Sequence, residues 1–141
     1  MGDSQEKNLL FLYLAWAVAL SAMLGSLYFS DVAHFVPCIL CWYQRILLYP
    51  LVLILAVGVL RSEKRIYQYV LPFSVPGALL AAYHYLLYVG IIPEALVPCT
   101  AGASCTQKII EWLGFINIPA LSFLAFLIIS IFVMMHRYYE Q

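Results

Sequence analysis

Apolar residues gather in four runs, each about as long as the ~20 residues a helix needs to cross roughly 30 Å of hydrocarbon. They occupy residues 9–29, 42–60, 67–92 and 115–135. The breaks between them, 30–41, 61–66 and 93–114, are too short to fold as separate domains. The pattern predicts an all-α membrane protein, a four-transmembrane-helix bundle forming a single integral membrane domain over residues 1–141. A cleaved signal peptide is the competing reading of the first run. That run exceeds the usual apolar core of about 7–15 residues, and no A-x-A-like site follows it, so the run is expected to stay as a span. Within it Ala15, Ala19, Ala22 and Ser26 form a stripe at helical spacing, suited to close helix packing in lipid. Pro50, Pro72, Pro76 and Pro119 fall inside apolar runs, where they set helix direction.

Composition agrees with this picture. Of 141 residues 65% are hydrophobic and 10% charged, and the mean hydropathy is +0.94, outside the range of ordinary water-soluble domains. The formal net charge is zero, which leaves no basic surface for nucleic acid. The distribution of basic residues is more telling than their sum. Lys7, Arg61, Lys64, Arg65 and Arg137 lie at the termini and in the second break, while Arg45 and Lys108 alone accompany the other two breaks. The positive-inside bias then predicts both termini cytoplasmic and both cysteine-bearing loops extracytoplasmic, on the side where disulfides persist.

The candidate chemistry sits in those loops. Cys38 and Cys41 form a C-x-x-C pair directly after Pro37 and before Trp42, Tyr43, Gln44 and Arg45. If the second helix begins near Pro37, a residue type favoured at the first helical position, Cys38, Cys41 and Arg45 share one face at i, i+3 and i+7. A helix N-terminus and a guanidinium both favour thiolate and would lower the pKa of at least one cysteine. Arg45 has two readings: a cation snorkelling to head groups, or a group that polarises a quinone oxygen and stabilises the charge developing there. His84 lies in the third run, roughly 12 Å of helix from its outer end, at a depth where ionisable groups are functional by default. It is either a structural hydrogen-bonding residue or a donor to the second quinone oxygen. Cys99 and Cys105 bracket a five-residue segment containing Gly102 and can close a small ring, as a structural staple or as a disulfide open to an external thiolate.

Taken together these residues resemble the bacterial disulfide bond formation protein B family, the quinone-dependent thiol oxidases. The resemblance covers all four runs. Its most specific piece is Cys38 to Arg45, a C-x-x-C followed by an aromatic-containing stretch and Arg; His84 matches a quinone-side histidine, and Gly114 to Pro119 resembles the entry to the fourth helix. Two departures stand out: the close spacing of Cys99 and Cys105, and Gln44 where long-loop members carry an acidic residue. The compact form is similar to the small protein C subfamily of Gram-positive bacilli.

The resemblance implies a bacterial cell-membrane enzyme that reoxidises an extracytoplasmic DsbA-like thioredoxin-fold thiol oxidase and supports disulfide formation in exported proteins. It implies Cys99 as the residue attacked by the partner, Cys105 as the residue completing exchange, Cys41 as electron donor with Cys38 as its mate, and Arg45 and His84 at a membrane quinone, menaquinone or ubiquinone. Resting pairs Cys38–Cys41 and Cys99–Cys105 are expected. No metal site is assigned. A partner near −120 mV could be recharged from a glutathione couple near −200 mV only uphill, by about 4 kcal/mol, whereas a respiratory acceptor removes the obstacle. Two other classes of function compete: a metal-binding membrane protein using the four thiols, and a noncatalytic scaffold with two structural disulfides. A reductase running electrons the other way would use the same parts.

Overall fold

The computed structural model describes residues 2–93 and 117–140. Four helices run through it: α1 (Gly2–Leu27), α2 (Ile39–Arg61), α3 (Tyr67–Val89) and α4 (Ile118–Glu140). Each belongs to a segment long and apolar enough to cross a membrane, and the described residues contain no strand. The chain is thus an all-helical, multi-pass membrane protein with the predicted number of spans. Leu53, Leu60 and Leu79, at 71%, 84% and 68% exposure, lie on its outer surface. Such an apolar exterior is costly in water and neutral in lipid.

The helix ends follow local chemistry. α1 runs directly into a π-helical turn, Tyr28–Val32, and the chain then passes through His34 at φ 55° before α2 begins. α2 closes at Ser62, at φ 49° and ψ 47°, where the Glu63 N–H returns to the Gly58 carbonyl at 3.1 Å. α3 stops at Val89, short of the predicted 92, because Gly90 adopts φ 84° and the Ile91 N–H folds back to Leu86 at 3.0 Å. That is a left-handed helix cap of the kind glycine favours. α4 begins at Ile118 rather than 115: the side-chain oxygen of Asn117 accepts the Ala120 N–H at 2.9 Å, and Pro119 sits in the first turn, where a missing N–H costs nothing.

α1 packs on α2 and α4, α3 packs on the same two helices, and the diagonal α2–α4 contact is slight. Ala15 and Ala19 of the small-residue stripe are fully buried, in a core with Leu12, Leu51, Leu55, Val70, Phe126 and Ile129. Gly77 lets α3 approach α4 closely, since a Cβ there would stand inside the Phe126 ring. Across the same helix pair the Ser74 hydroxyl lies 2.9 Å from that of Ser130, which donates to the Phe126 carbonyl at 2.8 Å. Both ends of the described chain meet at one end of the bundle. There Asn8 donates to Glu140 at 3.0 Å, Glu140 pairs with Lys64 at 3.0 Å, and the buried His136 donates through Nδ1 to the Asn8 carbonyl at 3.0 Å. The C-x-x-C pair lies at the opposite end.

Candidate redox site

The structure corrects the expected start of α2. Pro37 precedes the helix, and Cys38 is its N-cap, with φ −69° and ψ 168°. The Cys38 carbonyl accepts the first bond of the helix, from the Trp42 N–H at 3.1 Å. Pro37, with a fixed φ and no N–H, suits the extended approach to that cap. The pair therefore straddles a helix end, with Cys38 before it and Cys41 in its first turn. Both are thiols, their sulfurs 3.1 Å apart, Cys38 buried and Cys41 partly exposed.

α3 carries His84 to the same end, 3% exposed. Its Nε2 lies 3.7 Å from the Cys38 sulfur and its Nδ1 lies 3.0 Å from the side-chain nitrogen of Gln44. The hydrogen bond with Cys41 holds the Cys38 thiol well below its ordinary value; burial opposes the shift and His84 reinforces it. The lowering expected for one cysteine is therefore found at Cys38, but Arg45 is not among its causes. The guanidinium is anchored instead on α1. Its Nε donates to the Ser26 hydroxyl at 2.8 Å and its Nη2 to the Ser26 carbonyl at 2.7 Å, with the Trp42 ring 5.5 Å away. Ser26 lies where α1 gives way to the π-helical turn, and such changes of helical register leave carbonyls in need of a partner.

These side chains line one cavity of about 650 Å³. Cys38, Cys41, Gln44, Arg45 and His84 supply polar groups, while Leu14, Val18, Phe29, Leu48, Ala125 and Phe126 are among its apolar lining. The volume lies within the range of about 300–1,000 Å³ usual for small-molecule sites, and a mostly apolar wall with a few convergent polar groups is their usual make-up. Four of the six predicted site residues, Cys38, Cys41, Arg45 and His84, thus converge from two helices. Cys99 and Cys105 lie outside the described residues, as do Gly114, Phe115 and Ile116 of the stretch that ends at Pro119. Sequence reasoning assigned no site role to several other polar residues of this lining, among them Gln44, Ser26 and Asn117. Ser26 ended the small-residue stripe at the same membrane edge as Arg45, a signal that could have paired them. Gln44 lies one turn after Cys41 and could have been placed on the same face.

Residues 7–136 match the family model of the disulfide bond formation protein DsbB. The chain belongs to the DsbB family. Relatives within DsbB-type proteins include the disulfide bond formation protein C of Bacillus subtilis, 48% identical over 127 residues that cover 90% of this chain and 92% of that protein. The probable disulfide formation protein of Metapseudomonas resinovorans is 43% identical, with 89% and 88% covered. The probable disulfide formation protein C of Halalkalibacterium halodurans is 46% identical, with 83% and 85% covered. No solved structure matches the chain. Membership of the DsbB family gives the protein a membrane disulfide-formation role and a disulfide oxidoreductase activity. The Cys38 and Cys41 thiols, 3.1 Å apart beside a cavity, are the described residues suited to that chemistry.

Proposed function

We propose that this protein is a quinone-dependent thiol:disulfide oxidase. It reoxidises an extracytoplasmic DsbA-like thioredoxin-fold thiol oxidase and passes the electrons to a membrane quinone, menaquinone or ubiquinone. The observation that carries this reading is a dithiol opening on an apolar cavity whose polar end also holds Arg45 and His84. The donor set fits the group: an apolar wall for a ring and chain, a fixed cation, and a histidine within 3.7 Å of one sulfur. When bound, a quinone accepts two electrons and two protons.

The chain's own residues do the rest. A thiolate of the reduced partner attacks a Cys99–Cys105 disulfide at Cys99, and Cys105 leaves as a thiolate. The partner's second thiol then resolves the mixed disulfide, leaving the partner oxidised and Cys99 and Cys105 reduced. Exchange begun by Cys105 moves the same two electrons to Cys38 and Cys41 and restores the Cys99–Cys105 bond. Closing the Cys38–Cys41 bond releases two electrons and two protons at the cavity. Of the five N–H donors of Arg45, two are used on Ser26, and others can stabilise negative charge developing beside Cys41.

Sidedness belongs to the same proposal: both termini cytoplasmic and the cysteine end extracytoplasmic, supported by the basic residues at the end that carries Lys64 and Arg137. Cysteine-reactive labelling on intact cells should modify an engineered thiol near Gly90 and spare one near Ser62; the reverse pattern would turn the protein over. The redox reading is tested by single turnover. Reduced protein mixed with one equivalent of a water-soluble quinone should lose two thiols per quinone reduced, and thiols that survive while the quinone stays oxidised would reject it.

A metal site is the second reading that an observation favours. Cys38, Cys41 and His84 bring one ligand atom each within 4.8 Å of one another, three of the four donors a structural zinc site needs. A stoichiometric metal in the reduced protein, with no quinone reduction, would select it.

A further inference from the structure

Gln44 has no part in the relay above, yet it is 6% exposed, and its amide lies 3.0 Å from His84 Nδ1. Burying an amide this deeply is costly unless it is hydrogen-bonded, so the contact is informative. The amide nitrogen only donates. Nδ1 must then present its lone pair, and the proton of a neutral ring lies on Nε2. That nitrogen lies 3.7 Å from the Cys38 sulfur.

We propose that Gln44 is a positioning residue that holds His84 in the Nε2–H tautomer, so that the ring donates a hydrogen bond to the Cys38 sulfur and cannot act as a base toward it. The proposal rests on the thiol chemistry of the preceding section and adds a division of labour to it. His84 stabilises a thiolate at Cys38; it does not take that cysteine's proton.

The helix geometry makes the arrangement rigid. Cys38 caps α2 and Gln44 lies on its second turn, roughly 9 Å along the axis, so one helix grips the α3 histidine at both ring nitrogens. Leu40 and Leu48, 4% and 6% exposed, fix that stretch of α2 in the bundle. An amide is suited to the task where a carboxylate is not. A carboxylate only accepts, and at the same place it would draw the proton to Nδ1 and leave Nε2 bare or the ring doubly protonated. An apolar residue would leave Nδ1 unsatisfied. Among the described residues, the titratable and charged groups lining this cavity are Cys38, Cys41 and Arg45 from α2 and its cap, and His84 and Tyr88 from α3. α1 contributes serines, and α4 contributes Asn117 and Ser122.

The tautomer can be read directly. Full-length protein labelled with 15N-histidine, reduced and in detergent micelles near neutral pH, gives ring nitrogen shifts that a His84→Gln sample assigns. Wild type should show a protonated Nε2 and a bare Nδ1, and Gln44→Glu should move the proton to Nδ1 or protonate both. Gln44→Met keeps the side-chain volume without the amide. It should lose the tautomer preference and slow alkylation of Cys38 about tenfold at a fixed pH below the wild-type midpoint, the loss of one hydrogen bond to a charged group. A wild-type ring carrying its proton on Nδ1 overturns the proposal. So does a Gln44→Glu spectrum identical to wild type, or a folded Gln44→Met protein with wild-type shifts and alkylation rate. None of these readouts needs a quinone or a partner, so failure of the relay and failure of this inference are separate results.

Discussion

Replacing Ser26 by alanine removes a hydroxyl to which the sequence assigns only packing, yet the structure makes it half of the support for Arg45. The Nε bond of 2.8 Å is lost, while the 2.7 Å bond from Nη2 to the Ser26 carbonyl can persist because it uses the backbone. A hydrogen bond to a charged group is worth about 1.5–3 kcal/mol. Both residues are only partly buried, so solvent recovers part of that, and about 1 kcal/mol is the expected loss of guanidinium positioning. If Arg45 acts on the electron acceptor, that loss should appear as roughly a five-fold rise in the KM for quinone. The half-reaction between the protein and its reduced partner should be unchanged. Arg45→Lys should do more, since one ammonium on a flexible stem cannot reproduce a two-pronged contact. Steady-state quinone reduction at saturating partner measures the first effect, and partner thiol loss in the absence of quinone measures the second. An unchanged KM in Ser26→Ala, with Arg45→Met inactive, would refute the idea that Ser26 positions Arg45. Equal losses in both half-reactions would refute the assignment of Arg45 to the acceptor side.

Other consequences follow from the fold and the dithiol. Gly77→Ala places a methyl inside the ring of the fully buried Phe126, and overpacking of this kind should cost about 1–3 kcal/mol, read as a lower Tm in detergent. Asn117→Ala removes the cap on the Ala120 N–H and should cost about 1 kcal/mol, with Asn117→Ser recovering most of it. In the reduced protein Cys38 should remain reactive toward iodoacetamide at pH values where an ordinary thiol is not, because its pKa is depressed, first by Cys41 and with help from His84. The sign follows: the stability this thiolate lends the reduced fold is present above the ordinary thiol pKa and lost as pH falls through the depressed one. Reactivity that follows an ordinary thiol curve would remove that argument.

The four spans were legible because lipid imposes a crude length rule, and α2, α3 and α4 begin or end within about five residues of the places that rule assigned. The errors lie at the ends. There single residues decide: Gly90 stops α3 by taking φ 84°, and Asn117 starts α4 by capping it. Pro37 suggested a helix start that the extended backbone of Cys38 moves to Ile39. Of the site, Cys38, Cys41, Arg45 and His84 could be named from spacing, depth and resemblance. Their contacts could not, because they cross between helices far apart in sequence. Arg45 with Ser26 and Gln44 with His84 depend on how α1 and α3 rotate about α2, and a run of apolar residues all round a helix leaves that rotation unspecified.

In the proposed relay, electrons pass from thiols outside the membrane, through two cysteine pairs, to a quinone within it. Purified protein mixed with a reduced thioredoxin-fold oxidant and a water-soluble quinone, with quinone absorbance and partner thiols followed together, tests it most directly. Cys41→Ser and Cys99→Ser should accompany wild type. One quinone should be reduced for each pair of partner thiols lost, with no quinone reduction in either variant. A folded, active preparation that oxidises its partner without consuming quinone, or a Cys41→Ser protein that still reduces it, would rule out this relay.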